Sequence, residues 1–393
     1  MSFERASVIY LNFPVSSWHG WGICGQYLAL ELSKITEVRL ITESFVEDDL
    51  EQRSRLLRLI AGPEEVDLVD PFGAELRVPG PLLVPTGNFA ELPARLRLKG
   101  RRTFAYSVFE ENVIAKQEIE LAQELFDGFV VASTWCENVL DGHGLKPIFK
   151  AIQGFDPGRF RQMSEAEGNH MSRSDDFVLF SGGKFEFRKG QDIVIRAYKV
   201  LQDRHKDVRL IAAWWNSWPH SLSSMAMSKL IAFDQSLIDK PDVIERTLLM
   251  NGIDLARVTV IGGVNNQVMA RVYHSSDLGI FPNRCEGATN LVLMEYMASG
   301  KPVLATNTTG HGDVVMPENA LVPVIKTHIN LLRGGRLIAT WPEADLDDVV
   351  SRLEWAYQNR SQLAGLGKRA GVSIANRTWA HTASQIACGI GSR

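Results

Sequence analysis

The strongest structural signal in this sequence is the stretch FPNRCEGATNLVLMEYMASGKPVLATNTTGHGD (281–313). The apolar run Leu278–Phe281 predicts a strand that enters this stretch, and the loop after the strand carries Glu286. A helix from about Asn290 to Ser299 follows; a glycine ends it, and a proline opens the next apolar run. A strand, a helix and a second strand in this order are typical of a parallel sheet covered by helices.

The start of this helix combines features that favour an anionic ligand rich in hydroxyls. Backbone N–H groups near Thr289, Asn290 and Leu291 have no partner within the helix and predict an anion site. Glu295 lies on the helix, where its carboxylate can accept two hydrogen bonds from a sugar diol, and Glu286 lies just before the helix. The simpler interpretations are a surface charge for Glu295 and a helix-dipole partner for Glu286.

A second candidate ligand-binding segment is FSGGKFEFRKGQDIVIRAY (180–198). A predicted strand ends in a Gly-Gly turn that includes Gly183, and Lys184, Arg188 and Lys189 follow in the loop before a helix. Cations held at the end of a central strand suit a diphosphate. The segment lacks the ending of a Walker loop, and a solvated basic turn is the alternative interpretation.

The motif HGWGICG (19–25) is predicted to lie between the first strand and the first helix. Gly20, Gly22 and Gly25 allow a sharp turn and a close approach of the backbone to an anion, beside the N–H groups of the next helix. The spacing departs from the dinucleotide-binding fingerprint, and an ordinary tight turn explains the motif equally well.

Short apolar runs alternate with amphipathic stretches along the chain, in βαβ order. The polar stretch 161–176 separates two such series and predicts a linker. The pattern therefore indicates an α/β protein with two doubly wound, Rossmann-like parallel-sheet domains that face each other across a cleft. We expect a first domain at 1–165, a second at 166–365 with a helical insertion at about 221–250, and a C-terminal helix in 366–393 that packs back on the first domain.

The apolar runs also place the individual elements. Amphipathic helices are predicted at Gln26–Lys34 and Glu118–Phe126. The predicted strands are Val8–Phe13, Val38–Thr42, Leu82–Val84, Thr103–Val108, Gly128–Val131, Phe149–Ile152, Phe177–Ser181, Val208–Ala213, Val258–Ile261, Leu278–Phe281, Pro302–Ala305 and Leu321–Val324.

Composition excludes several classes of protein. The 393 residues carry 42 Lys and Arg against 46 Asp and Glu, and this net charge of −4 gives no general attraction to nucleic acid. The four cysteines form no CxxC pair, which argues against a zinc site or a disulfide scaffold and fits a reducing compartment. The longest apolar runs fall far short of the ~20 residues that cross a bilayer. We expect a cytoplasmic protein without a targeting segment.

The segments 180–198 and 281–313 resemble the signature of retaining glycosyltransferase family 4, part of the glycosyl transferases group 1, which has the GT-B fold. In that family a strand, a glycine and two cations spaced along a loop hold the diphosphate of a nucleotide sugar. Gly183, Lys184 and Lys189 match this loop, with Lys184 in place of the more common arginine.

The family's paired glutamates complete the resemblance. Glu295 matches the glutamate that binds the nucleotide ribose, and the other glutamate touches the transferred sugar. Eight residues separate Glu286 from Glu295, one more than in the family, so that Gly287 occupies the matching position. Glu286 is therefore expected to reach the sugar through a longer loop.

Weaker similarities extend along most of the chain. Gly22 matches a glycine turn that approaches the phosphates from the N-terminal, acceptor-side domain, and Val264 matches the region beside the nucleobase. The family's acceptor-side histidine has no match in AYSVFEENV (105–113), where Glu110, or else His19, is the candidate substitute.

The resemblance implies a retaining, metal-independent transfer of a sugar from a nucleoside diphosphate sugar to a hydroxyl of a glycan, lipid-linked or protein acceptor, in polysaccharide or glycoconjugate assembly. Lys184, Lys189 and Glu286 are then the catalytic residues, with no cofactor and no metal. One alternative is a catalytically silent GT-B protein that binds nucleotide or glycan. Another is an enzyme of the same fold with different chemistry, such as a phosphorylase or a sugar-nucleotide epimerase.

Two further groups of residues have open roles. The basic stretch ELPARLRLKGRR (91–102) suits contact with an anionic surface at the inner face of the membrane or with a lipid-linked phosphate, and a solvated face is the alternative. Trp214, Trp215 and Trp218 follow a predicted strand, where they stack on a sugar or base or else belong to the core.

Overall fold

The computed structural model of the protein describes residues 8–70, 75–164 and 175–391. Most of the predicted linker, 165–174, lies outside the described residues. The chain divides into two compact units. The first comprises Met1–Gly154, Leu331–Ala339 and Arg377–Arg393, and the second comprises Phe155–Asn330 and Thr340–Asn376.

The strands of the first unit form one large parallel sheet and two small sheets. They are β1 (Ile9–Leu11), β2 (Val15–Ser16), β3 (Val38–Leu40), β4 (Phe45–Val46), β5 (Asp67–Asp70), β6 (Glu75–Arg77), β7 (Pro81–Thr86), β8 (Leu98–Lys99), β9 (Arg102–Ser107), β10 (Gly128–Val131) and β11 (Ile148–Lys150). The six-stranded sheet has the order β11-β10-β9-β7-β1-β3, and all its pairs are parallel. β2 pairs with β4, and β5, β6 and β8 form the other small sheet.

Helices cover this large sheet, and its inner strands β1, β7, β9 and β10 are mostly buried apolar runs, as expected for a parallel sheet. The helices of the first unit are α1 (Gly20–Leu32), α2 (Leu50–Leu57), α3 (Lys116–Leu125), α4 (Thr134–Gly142) and, from the far end of the chain, α11 (Trp379–Gly391).

The C-terminal helix α11 packs on α1, and Arg377–Arg393 belong to the first unit. The rings of Tyr27 and Trp379 stack with centroids 5.8 Å apart, and the hydroxyl of Thr382 donates to the carbonyl of Ile152 at 2.7 Å. α11 is therefore part of the core of the first unit.

The second unit is built on a five-stranded parallel sheet with the order β14-β13-β12-β15-β16. Its strands are β12 (Phe177–Gly183), β13 (Val208–Trp214), β14 (Val258–Val260), β15 (Leu278–Phe281) and β16 (Val303–Ala305). Its helices are α5 (Gln191–Arg204), α6 (Val243–Met250), α7 (Asn266–His274), α8 (Leu291–Ala298), α9 (Leu346–Gln358) and α10 (Arg360–Ile374). The two Rossmann-like parallel sheets confirm the predicted fold class.

The predicted helical insertion has helical character but little α-helix. It consists of the 3-10 segments Pro219–Met227 and Gln235–Leu237, followed by α6. No helix among the described residues is long and apolar enough to cross a membrane.

The predicted strand Leu321–Val324 is wrong, because its residues form no strand and only an isolated bridge joins Leu321 to Leu304. The residues after it instead form β17 (Ile325–Arg333) and β18 (Arg336–Ala344), a hairpin that was not predicted. The Gly334–Gly335 turn joins these strands, and both of its residues have positive φ, as short hairpin turns require.

The motif HGWGICG is not a turn between a strand and a helix, because α1 begins at Gly20 and includes all three glycines. A Cβ on Gly22 would lie 2.3 Å from the Cβ of Ser16, and one on Gly25 would lie 2.2 Å from the carbonyl oxygen of Pro14. The two glycines therefore allow α1 to lie directly against the preceding chain. Whether Gly22 also approaches a donor phosphate stays a prediction.

Candidate functional site

The candidate site lies at the carboxyl ends of β12 and β15 in the second unit. β12 ends at Gly183, whose φ of 121° favours glycine, and a 3-10 turn at Phe187–Lys189 leads into α5. β15 ends at Phe281 and passes through Glu286 to the start of α8. The two segments singled out in the sequence thus meet at one edge of one sheet, because neighbouring parallel strands end on the same side.

Lys184, Glu186, Arg188, Glu286 and Lys189 form a continuous chain of ion pairs, called here the charge chain. The Nζ of Lys184 lies 2.9 Å from Glu186 Oε1, and the Nε of Arg188 lies 2.8 Å from Glu186 Oε2. The Nη1 of Arg188 lies 3.3 Å from Glu286 Oε2, and the Nζ of Lys189 lies 2.5 Å from Glu286 Oε1. Three cations and two carboxylates therefore alternate, which leaves one net positive charge.

Burial and pairing both act on the protonation of this chain. Burial alone would raise the pKa of Glu286, but the nearby Lys189 and Arg188 outweigh it and hold that pKa at about 2. The pKa of Glu186 is about 2 for the same reason, since Arg188 and Lys184 outweigh its burial. Burial lowers the pKa of Lys189, while Glu286 opposes the shift. The carboxylates are therefore charged at neutral pH.

The backbone beneath the charge chain is held by side chains that follow β13. The amide oxygen of Asn216 accepts from the N–H of Phe185 at 2.7 Å, and its amide nitrogen donates to the hydroxyl of Ser221 at 2.7 Å. The Nζ of Lys184 also lies 5.5 Å from the ring centroid of Trp218, which is 39% exposed. Lys184 is the most exposed cation of the charge chain, with 35% of its side chain accessible.

The start of α8 is ordered by its own side chains. Asn290 has a φ of 65°, and its side-chain oxygen accepts from the N–H of Leu293 at 3.4 Å. The amide of Asn290 donates to Nε2 of His311 at 3.2 Å, and Nδ1 of His311 lies 3.1 Å from the carbonyl of Thr306. Burial lowers the pKa of His311 to about 4, so a neutral ring with its proton on Nδ1 satisfies both contacts.

The other predicted donor residues near α8 are largely enclosed. Thr289 is fully buried, and its hydroxyl donates to the sulfur of Met294 at 2.8 Å. Gly287 is buried in the loop, Leu291 is half-buried, and Val264 packs against the core of the second unit. Their contacts with a donor stay predictions.

The carboxylate of Glu295 pairs with side chains of α7 and not with the charge chain. The residue is 3% exposed, and its carboxylate accepts hydrogen bonds from the amide of Asn266 and the hydroxyl of Tyr273, each at 2.8 Å. Burial raises its pKa to about 7, although these two donors oppose the shift. Both oxygens that the ribose interpretation needs are therefore occupied by side chains of α7.

The three tryptophans differ in role. Trp214 is fully buried and donates to the hydroxyl of Ser181 at 3.1 Å, so it belongs to the core. Trp215 is 37% exposed and its ring lies against Gly263. Trp215 and Trp218 keep an accessible face that can stack on a ligand.

The predicted acceptor residues lie in the first unit. His19 caps α1, where its Nδ1 accepts from the N–H of Gly22 at 3.1 Å, and burial lowers its pKa. The backbone N–H of Glu110 donates to the side chain of Asn88 at 2.9 Å. His19 thus has a structural task, and the acceptor roles of His19 and Glu110 stay predictions.

One carboxylate motif and two site residues in the second unit were not predicted from the sequence. Asp345 and Asp347 form a D-x-D triplet, but Asp345 caps α9, accepting from the N–H of Asp347 at 3.0 Å. Glu186 and His311 were not singled out, because only the folded chain shows that one joins two cations and the other orders the start of α8.

Comparisons with known proteins give a family match over part of the chain. Residues 163–327 match the family model described as Glycosyl transferases group 1, a range that includes the charge chain and Glu295. Over 142 residues the chain is 25% identical to the lipopolysaccharide 1,2-N-acetylglucosaminetransferase of Salmonella typhimurium, covering 36% of this chain and 33% of that protein. Over 91 residues it is 30% identical to cell division control protein 31 of Saccharomyces cerevisiae, covering 22% and 56% respectively. The chain thus spans about a third and about half of these curated relatives.

Solved structures match over nearly the whole chain. A sucrose-phosphate synthase from Thermosynechococcus elongatus matches with a TM-score of 0.63 and 15% identity, over 97% of this chain and 98% of that one. HepE from Anabaena, in complex with UDP and glucose, matches with a TM-score of 0.62 and 12% identity, over 98% and 100%. At such identities the likeness concerns the fold. The chain has the GT-B fold, and its residues 163–327 match the model of the Glycosyl transferases group 1 family.

Proposed function

We propose that this protein is a retaining, metal-independent glycosyltransferase that moves a sugar from a nucleoside diphosphate sugar to an acceptor hydroxyl. The observation that carries the proposal is the charge chain, which gathers Lys184, Arg188 and Lys189 at the strand ends of the unit that matches the family. A diphosphate needs such a group of cations in a site with little water.

The cations act on the charge that develops as the sugar leaves. When the bond from the anomeric carbon to the diphosphate breaks, its electron pair stays on the diphosphate oxygen. Fixed cations in a low-dielectric site stabilise that oxygen more strongly than water does. Lys189 is nine-tenths buried and is therefore the strongest candidate for this role.

Retention of configuration follows from the family resemblance. The acceptor oxygen bonds to the anomeric carbon on the face from which the diphosphate departs, and the departing diphosphate takes the proton of the acceptor hydroxyl. Glu286, held in place by Lys189 and Asn283, is the carboxylate that accepts hydrogen bonds from the transferred sugar. Glu295 binds the ribose if one of its bonds to Asn266 or Tyr273 is exchanged for a ribose hydroxyl.

The proposed partners are a nucleoside diphosphate hexose and a glycan, lipid-linked or protein acceptor, in polysaccharide or glycoconjugate assembly in the cytoplasm. Two relatives support this choice: one is named as a lipopolysaccharide N-acetylglucosaminetransferase, and the other was solved with UDP and glucose. Arg95, Arg97 and Arg101 are exposed, which supports peripheral contact of 91–102 with an anionic membrane.

A catalytically silent nucleotide-binding protein is the second candidate. The observation that favours it is that internal carboxylates already pair with all three cations, while both oxygens of Glu295 are occupied.

One experiment in two stages separates these candidates. Thermal-shift measurements with UDP, GDP, ADP and dTDP identify the nucleotide, because a ligand that binds only the folded protein raises its melting temperature. The protein is then incubated with sugars carried on that nucleotide, and release of free nucleotide is followed. Binding with release supports the glycosyltransferase, binding without release supports the silent protein, and no binding contradicts both.

A further inference from the structure

Arg284 is a fully buried arginine in the loop between β15 and α8, two residues before Glu286. Its Nη1 and Nη2 each donate to a different oxygen of Asp192 at 2.8 Å, and its Nε donates to Glu343 at 2.8 Å. The side chains of Arg284 and Asp192 are both 0% exposed. With this set of partners and no exposed surface, Arg284 cannot itself reach a bound donor.

The same arginine grips the turn that carries Lys189. Its Nη1 donates to the carbonyl of Phe187 at 2.6 Å, and its guanidinium lies 3.8 Å from the centroid of the Phe187 ring. The carbonyl of Arg188 accepts from the backbone N–H groups of Arg284 and Cys285, at 2.8 and 3.2 Å. Arg284 therefore binds, through side chain and backbone, the two residues directly before Lys189.

The insertion adds two contacts to this network. The hydroxyl of Ser224 accepts from the N–H of Phe187 at 3.2 Å, and the hydroxyl of Ser228 donates to Asp192 at 2.7 Å. The turn at Phe187–Lys189 is thus held from the β15–α8 loop on one side and from the insertion on the other.

We propose that Arg284 is a positioning residue for the donor diphosphate, acting by fixing the Lys189 ammonium where the diphosphate binds. The inference rests on the proposed function and adds a residue to its site. A planar guanidinium can bind Asp192 with two parallel bonds, reach Glu343 and stack on Phe187 at once, whereas a lysine can satisfy only part of this set. Removing the planar group loosens the turn, and a small displacement of a cation costs much of its effect on a bound anion.

The test measures binding of inorganic pyrophosphate by calorimetry to the wild-type protein and to Arg284→Lys, Lys189→Met and the double variant. We expect Arg284→Lys to weaken binding by roughly tenfold or more. In the Lys189→Met background the same substitution should have little further effect, because the cation through which it acts is gone. With a nucleotide sugar that the protein uses as donor, Arg284→Lys should lower kcat and leave the KM of the acceptor unchanged.

The matched control is Arg360→Lys. Arg360 also combines an ion pair, to Asp207 at 2.6 Å, with stacking on a ring, that of Tyr357, but at the other side of the unit. It should leave pyrophosphate binding unchanged. Equal weakening by the control would mean that loss of stability explains the effect and would overturn the inference.

The remaining outcomes are distinct. If the wild type binds pyrophosphate and Arg284→Lys binds it equally well, the inference fails and the proposed function stands. If the effects of Arg284→Lys and Lys189→Met are additive, Arg284 does not act through Lys189 and the inference is wrong. If the wild type binds neither pyrophosphate nor any nucleotide, the proposed function fails and takes the inference with it.

Discussion

At the scale of single residues, the proposed diphosphate competes with Glu186 and Glu286 for the cations of the charge chain. Lys189 lies 2.5 Å from Glu286, so the proposed diphosphate competes with a carboxylate for this cation. The cost of bringing the lysine into a buried position has therefore been met during folding. In the proposed complex, Lys189 keeps the position that its turn fixes, and its ammonium contacts both Glu286 and the diphosphate.

Replacing Lys189 by Ala should lower turnover on the order of a hundredfold or more, because the leaving diphosphate loses a buried cation. Release of nucleotide from the donor sugar measures the rate. Lys199→Ala is the control, since Lys199 is a surface lysine of α5 that pairs with Asp203. A rate for Lys189→Ala within twofold of the control would remove Lys189 from the catalytic residues.

Glu295 gives a pH-dependent prediction. Its pKa is about 7 in the folded protein, against 4.5 for an ordinary glutamate, so between those pH values the folded state holds more protons than the unfolded state. The free energy of unfolding therefore falls as pH rises from 4.5 to 7, and Glu295→Gln removes this loss. Relative to wild type, the variant should gain up to about 3 kcal/mol between pH 5 and 7.5.

Urea unfolding at several pH values measures this difference. Glu318→Gln, at an exposed position, is the control and should track the wild type at every pH. A constant difference between Glu295→Gln and wild type across the range would show that Glu295 is charged in the folded protein.

At the scale of elements, α1 is placed by the two glycines that lie against the chain before it. Gly22→Ala should destabilise the protein by about 1–3 kcal/mol, because the added Cβ meets Ser16 and its backbone. Gly142→Ala, at the end of α4 with nothing within 4 Å, is the matched control and should be neutral or stabilising. Chemical denaturation measures both. An unchanged stability with weakened nucleotide binding would instead support the donor role of Gly22.

The elements also show what the sequence could and could not predict. Gly128–Val131 and Leu278–Phe281 were predicted with the observed bounds, because a buried parallel strand is an apolar run with clear ends. The glycines of 19–25 led to the wrong prediction of a turn, because in a sequence a glycine that permits close packing cannot be distinguished from one that permits a turn. The β17–β18 hairpin was missed for a different reason: most of β17 is exposed or half-buried and lacks a buried apolar run.

Within the candidate site, features made by neighbouring residues could be predicted from the sequence, whereas contacts between distant residues could not. The cationic segment and the loop before α8 could be found because each is a local pattern of glycines, charges and a helix start. The pairing of Arg188 and Lys189 with Glu286, and of Glu295 with Tyr273, joins residues far apart in the chain. Only the order of strands in the sheet brings these groups together.

At the scale of the whole molecule, the charge is unevenly distributed. The protein carries a net charge of −4, yet Arg95, Arg97 and Arg101 are exposed within a short stretch of the first unit. Lys99 in the same stretch pairs with Glu75 at 3.1 Å, and Arg102 lies over the ring of Phe104. The three exposed arginines therefore form the basic surface that the proposed membrane contact would use.

Reversing the charge of these three arginines to Glu should lower binding to vesicles of anionic lipid on the order of a hundredfold or more, since each basic residue near such a surface contributes about 1 kcal/mol. Co-sedimentation at low and physiological salt measures the binding. The control reverses Lys206, Lys240 and Lys368, which are exposed in the second unit and give the same change in net charge. Equal loss in both variants would mean that total charge, and not this stretch, attracts the vesicles.

The return of α11 to the first unit has a consequence for biosynthesis. On the ribosome, about 225 residues separate Gly154 from Trp379, which at ordinary elongation speeds is a delay of roughly 10–45 s. Throughout that interval the face of α1 around Tyr27, which α11 later covers, is open to solvent and to chaperones. The unit that begins translation is thus the last to be completed, and a nascent chain stalled before Trp379 carries an unfinished core.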